Sequence, residues 1–271
     1  MTDDPVALCL SGRISAPVAI ARLVLAGIAP DAIAARLEGA SGAEDMRRLL
    51  GARDNLARLA TAASTIDHEA AGEGALAAFR DGFDRAAAIS PEASVAAYSL
   101  GDPGLLDAAT AELVDWLDAR GLADGDVLDL GCGIGRVAAA LRRARSVLGL
   151  DISPEMIAEA RRRHGNDSRL RFAVTDGQGI AGAEGAFDLV LAVDSFPYLV
   201  AAGVAERHAT DAARVLRPGG TVAIFNLSYR GVDADRTEMR AWAEAYGFRI
   251  AWEGSQPFRL WDGRAFLLVS E

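Results

Sequence analysis

From residue 127 onward the chain alternates apolar runs of strand length with segments of helical period. No other feature constrains its fold as strongly. The runs span 127–130, 147–150, 170–174, 187–193 and 221–227, and helical patterns at 136–145, 153–164 and 204–216 separate most of them. A further helix is expected from Pro103 to Arg120, capped by Asp102 and closed by Gly121. Parallel strands need a crossover connection, usually a helix, so the alternation predicts an α/β fold with a doubly wound parallel sheet. The tail differs: 248–252 and 264–270 read as strands with no helix between them, an antiparallel pair at one edge.

The first 95 residues carry helical periodicity and almost no strand signal. Ser15 caps a helix ending at Gly27, and Pro30 starts a second that ends at Gly39. A longer one is expected over 42–66, with Met46, Leu49, Leu50, Leu56 and Leu59 as its stripe, and a fourth over 74–89 with Leu76, Phe79 and Phe83 on one face. Ser90, Pro91 and Glu92 then punctuate the chain. The expected division is a helical domain over 1–95, serving as a lid or a homodimer interface, and an α/β domain over 96–271.

Net charge is −10 and all 28 basic residues are arginine. A protein that binds duplex nucleic acid needs a basic stripe, so the charge argues against that class and no nucleic-acid partner is expected, though a small basic pocket stays open. Cys9 and Cys132 are far apart, and His68, His164 and His208 share no ligand spacing with them, so no metal site is expected. The apolar run 16–29 is broken by Arg22 and too short to span a bilayer, and the opening MTDDP lacks the basic start of a leader. The expectation is a cytoplasmic protein with no membrane partner.

Residues 126–136 read DVLDLGCGIGR. Gly131, Gly133 and Gly135 stand where the first strand hands over to its helix, the usual contact point for a ligand at the carboxyl ends of a parallel sheet. Glycine there permits positive φ and bares the backbone. Asp151 ends the second strand 20 residues after Gly131, and an acid at that spacing accepts both hydroxyls of a ribose. A dinucleotide fingerprint would require glycine at position 136, where Arg136 stands, read here as a solvent-facing helix-start residue. The ligand therefore carries a ribose without a pyrophosphate, which disfavours a nicotinamide oxidoreductase.

VLDLGCGIGRV resembles the first motif of the class I S-adenosylmethionine-dependent methyltransferases. The resemblance continues in order through LGLDIS at 148–153, RFAVTDG at 171–177, FDLVLAVDSFPYL at 187–199 and LRPGG at 216–220, covering about residues 100–270. It implies a Rossmann-like seven-stranded sheet whose last strand is antiparallel. It also implies S-adenosylmethionine as cofactor and S-adenosylhomocysteine as product. By this resemblance Asp129 and Gly131 meet the amino-acid end, with Cys132, Gly133 and Gly135 completing the loop. Asp151 binds the ribose, Ile152 and Met156 line the adenine, Asp176 accepts its amino group and the Gly177 N–H meets a ring nitrogen. Ala192 and Asp194 flank the methionine chain near the sulfonium.

Methyl transfer is an in-line displacement, so the protein mainly aligns the partners in a dry pocket. Three stretches are candidates for the acceptor side: Tyr198 in DSFPYL, Arg230 in FNLSYRG as a clamp for an anionic acceptor, and Tyr98 in AAYSLGDP as a residue folding over the cofactor. His68 reaches the pocket only if the helical domain caps it, and His208 is placed on the outer face of its helix. The reading is a methyltransferase for a small-molecule acceptor. The rivals are a cofactor-binding regulatory protein without turnover and a methyltransferase acting on a protein.

Overall fold

A computed structural model describes residues 4–271. The first helices are short because the sequence stops each one. They are α1 (Pro5–Leu10), α2 (Ala16–Leu25), α3 (Pro30–Arg36), α4 (Glu44–Leu49), α5 (Arg53–Ala63), α6 (Ala75–Ile89) and α7 (Pro91–Val95). Ser15 accepts a hydrogen bond from the Val18 N–H at the start of α2, as its N-cap position predicts. The single helix expected over 42–66 is two helices, interrupted at 50–52 around Gly51. The break lets Met46, Leu50, Leu56 and Leu59 all turn into one core with Ile20, Leu23, Ile33 and Leu37.

The α/β part follows the alternation: α8 (Pro103–Asp118), β1 (Gly125–Leu130), α9 (Arg136–Ala140), β2 (Ala144–Asp151), α10 (Pro154–His164), β3 (Leu170–Val174), β4 (Phe187–Val193), α11 (Phe196–Ala201), α12 (Ala205–Val215), β5 (Leu216–Phe225), α13 (Val232–Tyr246), β6 (Phe248–Ser255) and β7 (Ala265–Ser270). The seven described strands form one sheet in the order β3-β2-β1-β4-β5-β7-β6, parallel except that β7 runs antiparallel to β5 and β6. Strand order reverses at β1, between β2 and β4, and a ligand crevice opens there.

Side chains alternate across the strands. Val127, Leu189, Leu191, Ala223 and Phe225 pack under α8, α9 and α10, while Leu128, Leu130, Val190, Ala192 and Ile224 pack under α12 and α13. Several boundaries differ from the sequence reading: β5 begins at Leu216 rather than 221, and β6 runs on to Ser255. Helix α9 stops at Ala140, and β2 begins at Ala144, where Arg143 pairs with Asp124 just before β1 and Arg145 with Asp126 within it. Helix α13 is absent from that reading because its apolar stripe is sparse, with Met239 and Trp242 as its buried large side chains.

The helical segment is tied across the carboxyl end of the sheet by directional bonds. Asp84 of α6 accepts from the Ser153 hydroxyl (2.5 Å) and the Glu155 N–H (3.2 Å) at the start of α10. Glu92 pairs with Arg163 at 2.8 Å, and the Gly72 N–H donates to the Ala201 carbonyl at 2.8 Å. At the far edge the Ser15 hydroxyl donates to the Leu260 carbonyl, and Arg22 pairs with Asp262 at 2.5 Å.

Candidate active site

A cavity of about 960 Å³ lies between the carboxyl ends of β1, β2, β4 and β5 and the helical segment. Its floor is the turn after β1. Gly131 (φ 71°) and Gly133 (φ 52°) both need the left-handed region, and neither position has room for a side chain. A Cβ on Gly131 would lie 2.3 Å from the Ser195 Cβ, and one on Gly133 2.6 Å from Val95 Cγ1. The turn therefore presents bare main chain to the cavity.

Three carboxylates border this floor, each at or beside the end of a strand. Asp151 is buried; its Oδ2 accepts from the Gly133 N–H (2.8 Å) and its Oδ1 from the Ser153 N–H (2.9 Å). Burial pushes its pKa upward, and those two backbone donors act against the shift. Each oxygen keeps a lone pair for a diol. Asp129 is 2% exposed, and its Oδ2 has no hydrogen-bond partner. Burial raises its pKa to about 7, opposed by Arg136 and reinforced by Asp151. A buried carboxylate oxygen without a donor costs free energy unless a ligand supplies one. Asp194, with φ 58°, lies just beyond β4. Its Oδ1 accepts from Asn226 Nδ2 (3.0 Å) and from the Tyr229 hydroxyl (3.1 Å).

Arg136 corrects the sequence reading. Its side chain turns into the cavity wall, where it donates to the Thr110 hydroxyl at 2.8 Å and to the Tyr98 hydroxyl at 3.2 Å. Among the described residues it has no carboxylate partner. Tyr98 is buried, stacked on Trp261 with centroids 5.5 Å apart. The guanidinium and Asp129 place opposite charges on neighbouring parts of one wall, the complement of a zwitterionic amino-acid group.

Of the residues singled out in sequence, Asp129, Gly131, Cys132, Gly133, Asp151, Ile152, Met156, Gly177, Asp194, Tyr98 and Tyr198 line this cavity. Four do not. Gly135 supplies a left-handed turn at the start of α9 and backs onto the Phe172 ring. Asp176 is exposed and accepts from the Gln178 N–H, leaving Thr175 and Gly177 as the lining residues after β3. Ala192 points into the opposite layer, and its neighbour Val193 lines the cavity, as strand alternation demands. Arg230 is held by Glu238 and by the Ser228 hydroxyl, so it is not available as a clamp.

Cys132 keeps its thiol packed against Gly149, and burial raises its pKa well above the ordinary value, so it is an inert small side chain. His208 faces inward rather than outward: it is 3% exposed and its Nδ1 lies 2.9 Å from the Val204 carbonyl. His68 does reach the cavity, beside Tyr198. Trp261 and Asp262 come from the β6–β7 loop, and no motif at that distance in sequence marks them. Among the described residues no cluster could hold a metal ion, and no helix is long and apolar enough to cross a membrane.

Residues 127–220 match the family model described as a methyltransferase domain. The chain is 35% identical over 127 residues to the methyltransferase GfsG of Streptomyces halstedii, covering 45% of this chain and 44% of that protein. It is 31% identical over 161 residues to the ribosomal protein L11 methyltransferase of Burkholderia orbicola, covering 54% and 50%. It thus spans half the length or less of these curated relatives. Among solved structures it resembles the magnesium protoporphyrin IX methyltransferase of Synechocystis PCC 6803 crystallised with S-adenosylmethionine. There the TM-score is 0.49 at 23% identity, covering 62% of this chain and 81% of that one.

Proposed function

We propose a reaction for a chain that belongs to the class I S-adenosylmethionine-dependent methyltransferases: transfer of a methyl group to a small molecule held in the cavity beneath its helical segment. The observation that carries the reading is the pairing of Asp129, whose buried Oδ2 lacks a donor, with Asp151, whose oxygens are fixed by two backbone N–H groups. An ammonium satisfies the first and a ribose diol the second. Arg136 receives the cofactor's carboxylate, and bare backbone at Gly131 and Gly133 lets its chain cross. S-adenosylmethionine, when bound, supplies an electrophilic methyl on a sulfonium centre.

The protein's own residues orient and desolvate. Ile152 and Met156 form an apolar wall beyond Asp151, joined by Leu76 of α6, which approaches Gly177. Helices α2, α5 and α6 roof the space with Val24, Leu59 and Phe83. That roof supports a small acceptor over a protein one, because a folded protein surface would have to displace several helices to reach the floor. We assign residues 1–95 the role of lid on the same ground, leaving 96–271 as the cofactor-binding domain.

Calorimetry tests the first layer: S-adenosylhomocysteine binds and NAD does not. Incubation with methyl-labelled S-adenosylmethionine and separate protein and metabolite fractions tests the second. Label in the metabolite fraction is expected. Label confined to protein would overturn the acceptor class, and cofactor binding with no labelled product would favour a regulatory binder.

A further inference from the structure

Asp194 is the one floor carboxylate that the cofactor reading leaves half used. Both of its donors, Asn226 Nδ2 and the Tyr229 hydroxyl, fall on Oδ1, and among the described residues none meets Oδ2. The arrangement is held under strain. Asp194 (φ 58°) and Asn226 (φ 65°) both take left-handed backbone at the ends of adjacent strands, a conformation that costs a non-glycine residue free energy. Asn226 is fixed in turn, its Oδ1 accepting from the Arg264 N–H at 2.9 Å. Tyr229, 67% exposed, reaches in from the mouth.

The surroundings decide what that oxygen can take. Asp262 also lines the cavity, and its charge is met by Arg22. The other wall guanidinium groups have no carboxylate partner among the described residues: Arg136 donates to Thr110 and Tyr98 beside Asp129, and Arg264 donates to the Gly254 carbonyl. Asp194 itself has no guanidinium partner among the described residues, and the lining carries more carboxylates than guanidinium groups, so the cavity favours a cationic acceptor over an anionic one. Tyr198 and Tyr229 place aromatic rings on the same cavity, surfaces that attract cations.

We propose, building on the methyltransferase reading, that the acceptor is an organic amine and that Asp194 seats its nitrogen. The protonated amine donates to Oδ2, and its apolar body lies along the tyrosine and helix walls. Oδ2 is also placed to take the proton that an ammonium must shed before its nitrogen carries a lone pair.

The test titrates benzylamine, benzyl alcohol and benzoate, three probes of similar shape, into protein already saturated with S-adenosylhomocysteine. Benzylamine is expected to bind at least tenfold tighter than either of the others, and Asp194→Asn abolishes that preference. Equal or tighter binding of the alcohol or the acid, or no measurable amine binding, overturns the proposal. So does a preference that survives Asp194→Asn, or a variant that loses S-adenosylmethionine affinity but keeps benzylamine. Failure of wild-type protein to bind S-adenosylhomocysteine would instead overturn the methyltransferase reading itself. If Asp194→Asn does not fold, Tyr229→Phe carries the test: it frees Oδ1 of one donor and is expected to strengthen amine binding about twofold or more, and unchanged or weaker binding overturns the assignment.

Discussion

Replacing Asp129 by asparagine should stabilise the ligand-free protein at pH 8 while impairing its cofactor binding. Burial raises the folded-state pKa of Asp129 to about 7, well above the ordinary carboxylate range. The folded state then holds a proton between about pH 4 and 7 that the unfolded chain has released. Unfolding releases that proton, so stability falls as pH rises through this window. Raising a carboxyl pKa from about 4 to about 7 is worth at most about 4 kcal/mol. Water entering an open cavity lowers that figure. Asparagine matches the protonated carboxyl in shape and stays neutral. The wild type should therefore lose stability from pH 5 to 8 while Asp129→Asn loses less, so that the variant is the more stable protein at pH 8. A gap of about 1 kcal/mol corresponds to a rise in Tm of about 2–4 °C. Saturating S-adenosylhomocysteine should reverse the order, because its ammonium restores the wild-type charge and gains little from the amide. Thermal scans at pH 5, 6.5 and 8, with and without ligand, read all of this. A variant destabilised equally at every pH would refute the claim that Asp129 waits for a cation.

The amino-acid and ribose ends can be separated by ligand. Arg136→Met should weaken S-adenosylhomocysteine about tenfold or more by calorimetry yet leave 5′-methylthioadenosine, which lacks the amino-acid group, within twofold. Asp151→Ala should weaken both ligands well over tenfold. It should also lower apo Tm, because the Gly133 and Ser153 N–H groups lose their acceptor at about 1–3 kcal/mol each. Gly131→Ala drives a Cβ to 2.3 Å from Ser195 at a positive φ, so it should abolish S-adenosylhomocysteine binding and lower Tm. Asp84→Ala removes the acceptor shared by Ser153 and Glu155, so limited proteolysis should release the N-terminal helices sooner in the variant, with the α/β part remaining intact.

Much of this site was legible because glycine and strand-end carboxylates advertise themselves locally. A run ending LDLGCGIG fixes a strand, a turn and a bare backbone within ten residues, and Asp151 follows at the spacing that a crossover helix and one strand dictate. The misses share a different cause. Ala192 and Val193 differ only by strand parity, which depends on where β4 enters the sheet. Asp176 is identical in type to a binding acid, but an Asx turn with Gln178 consumes it locally. Arg136 looks like a solvent residue until Thr110 and Tyr98, 26 and 38 positions upstream, fold beside it. Arg230 looks like a clamp until Glu238 of the next helix neutralises it. Trp261 belongs to a hairpin loop whose return to the cavity depends on β7 inserting between β5 and β6.

The three floor carboxylates use one device at three degrees of completion. All are drawn out of water at the end of a strand, and burial raises the pKa of each. What differs is how far the protein itself answers the charge. Asp151 receives a main-chain N–H on each oxygen, so its carboxyl is fixed in orientation before any ligand arrives and it can hold neutral hydroxyls in a constant geometry. Asp194 receives two side-chain donors on one oxygen, leaving the other for a partner that comes and goes. Asp129 leaves Oδ2 without a partner, so it depends on a cationic ligand to ionise fully near neutral pH. The gradation matches what each must bind: a permanent neutral diol, an exchanging acceptor, and an ammonium whose arrival sets the charge. Ligand exchange at the cofactor site should therefore be coupled to proton release from Asp129. A calorimetric titration of S-adenosylhomocysteine at pH 6.5 in two buffers of different ionisation enthalpy measures that release directly. Wild-type protein should give a buffer-dependent heat corresponding to a fraction of one proton, and Asp129→Asn should reduce it. Equal proton release in both proteins would place the titrating group elsewhere and break the gradation at its most exposed step.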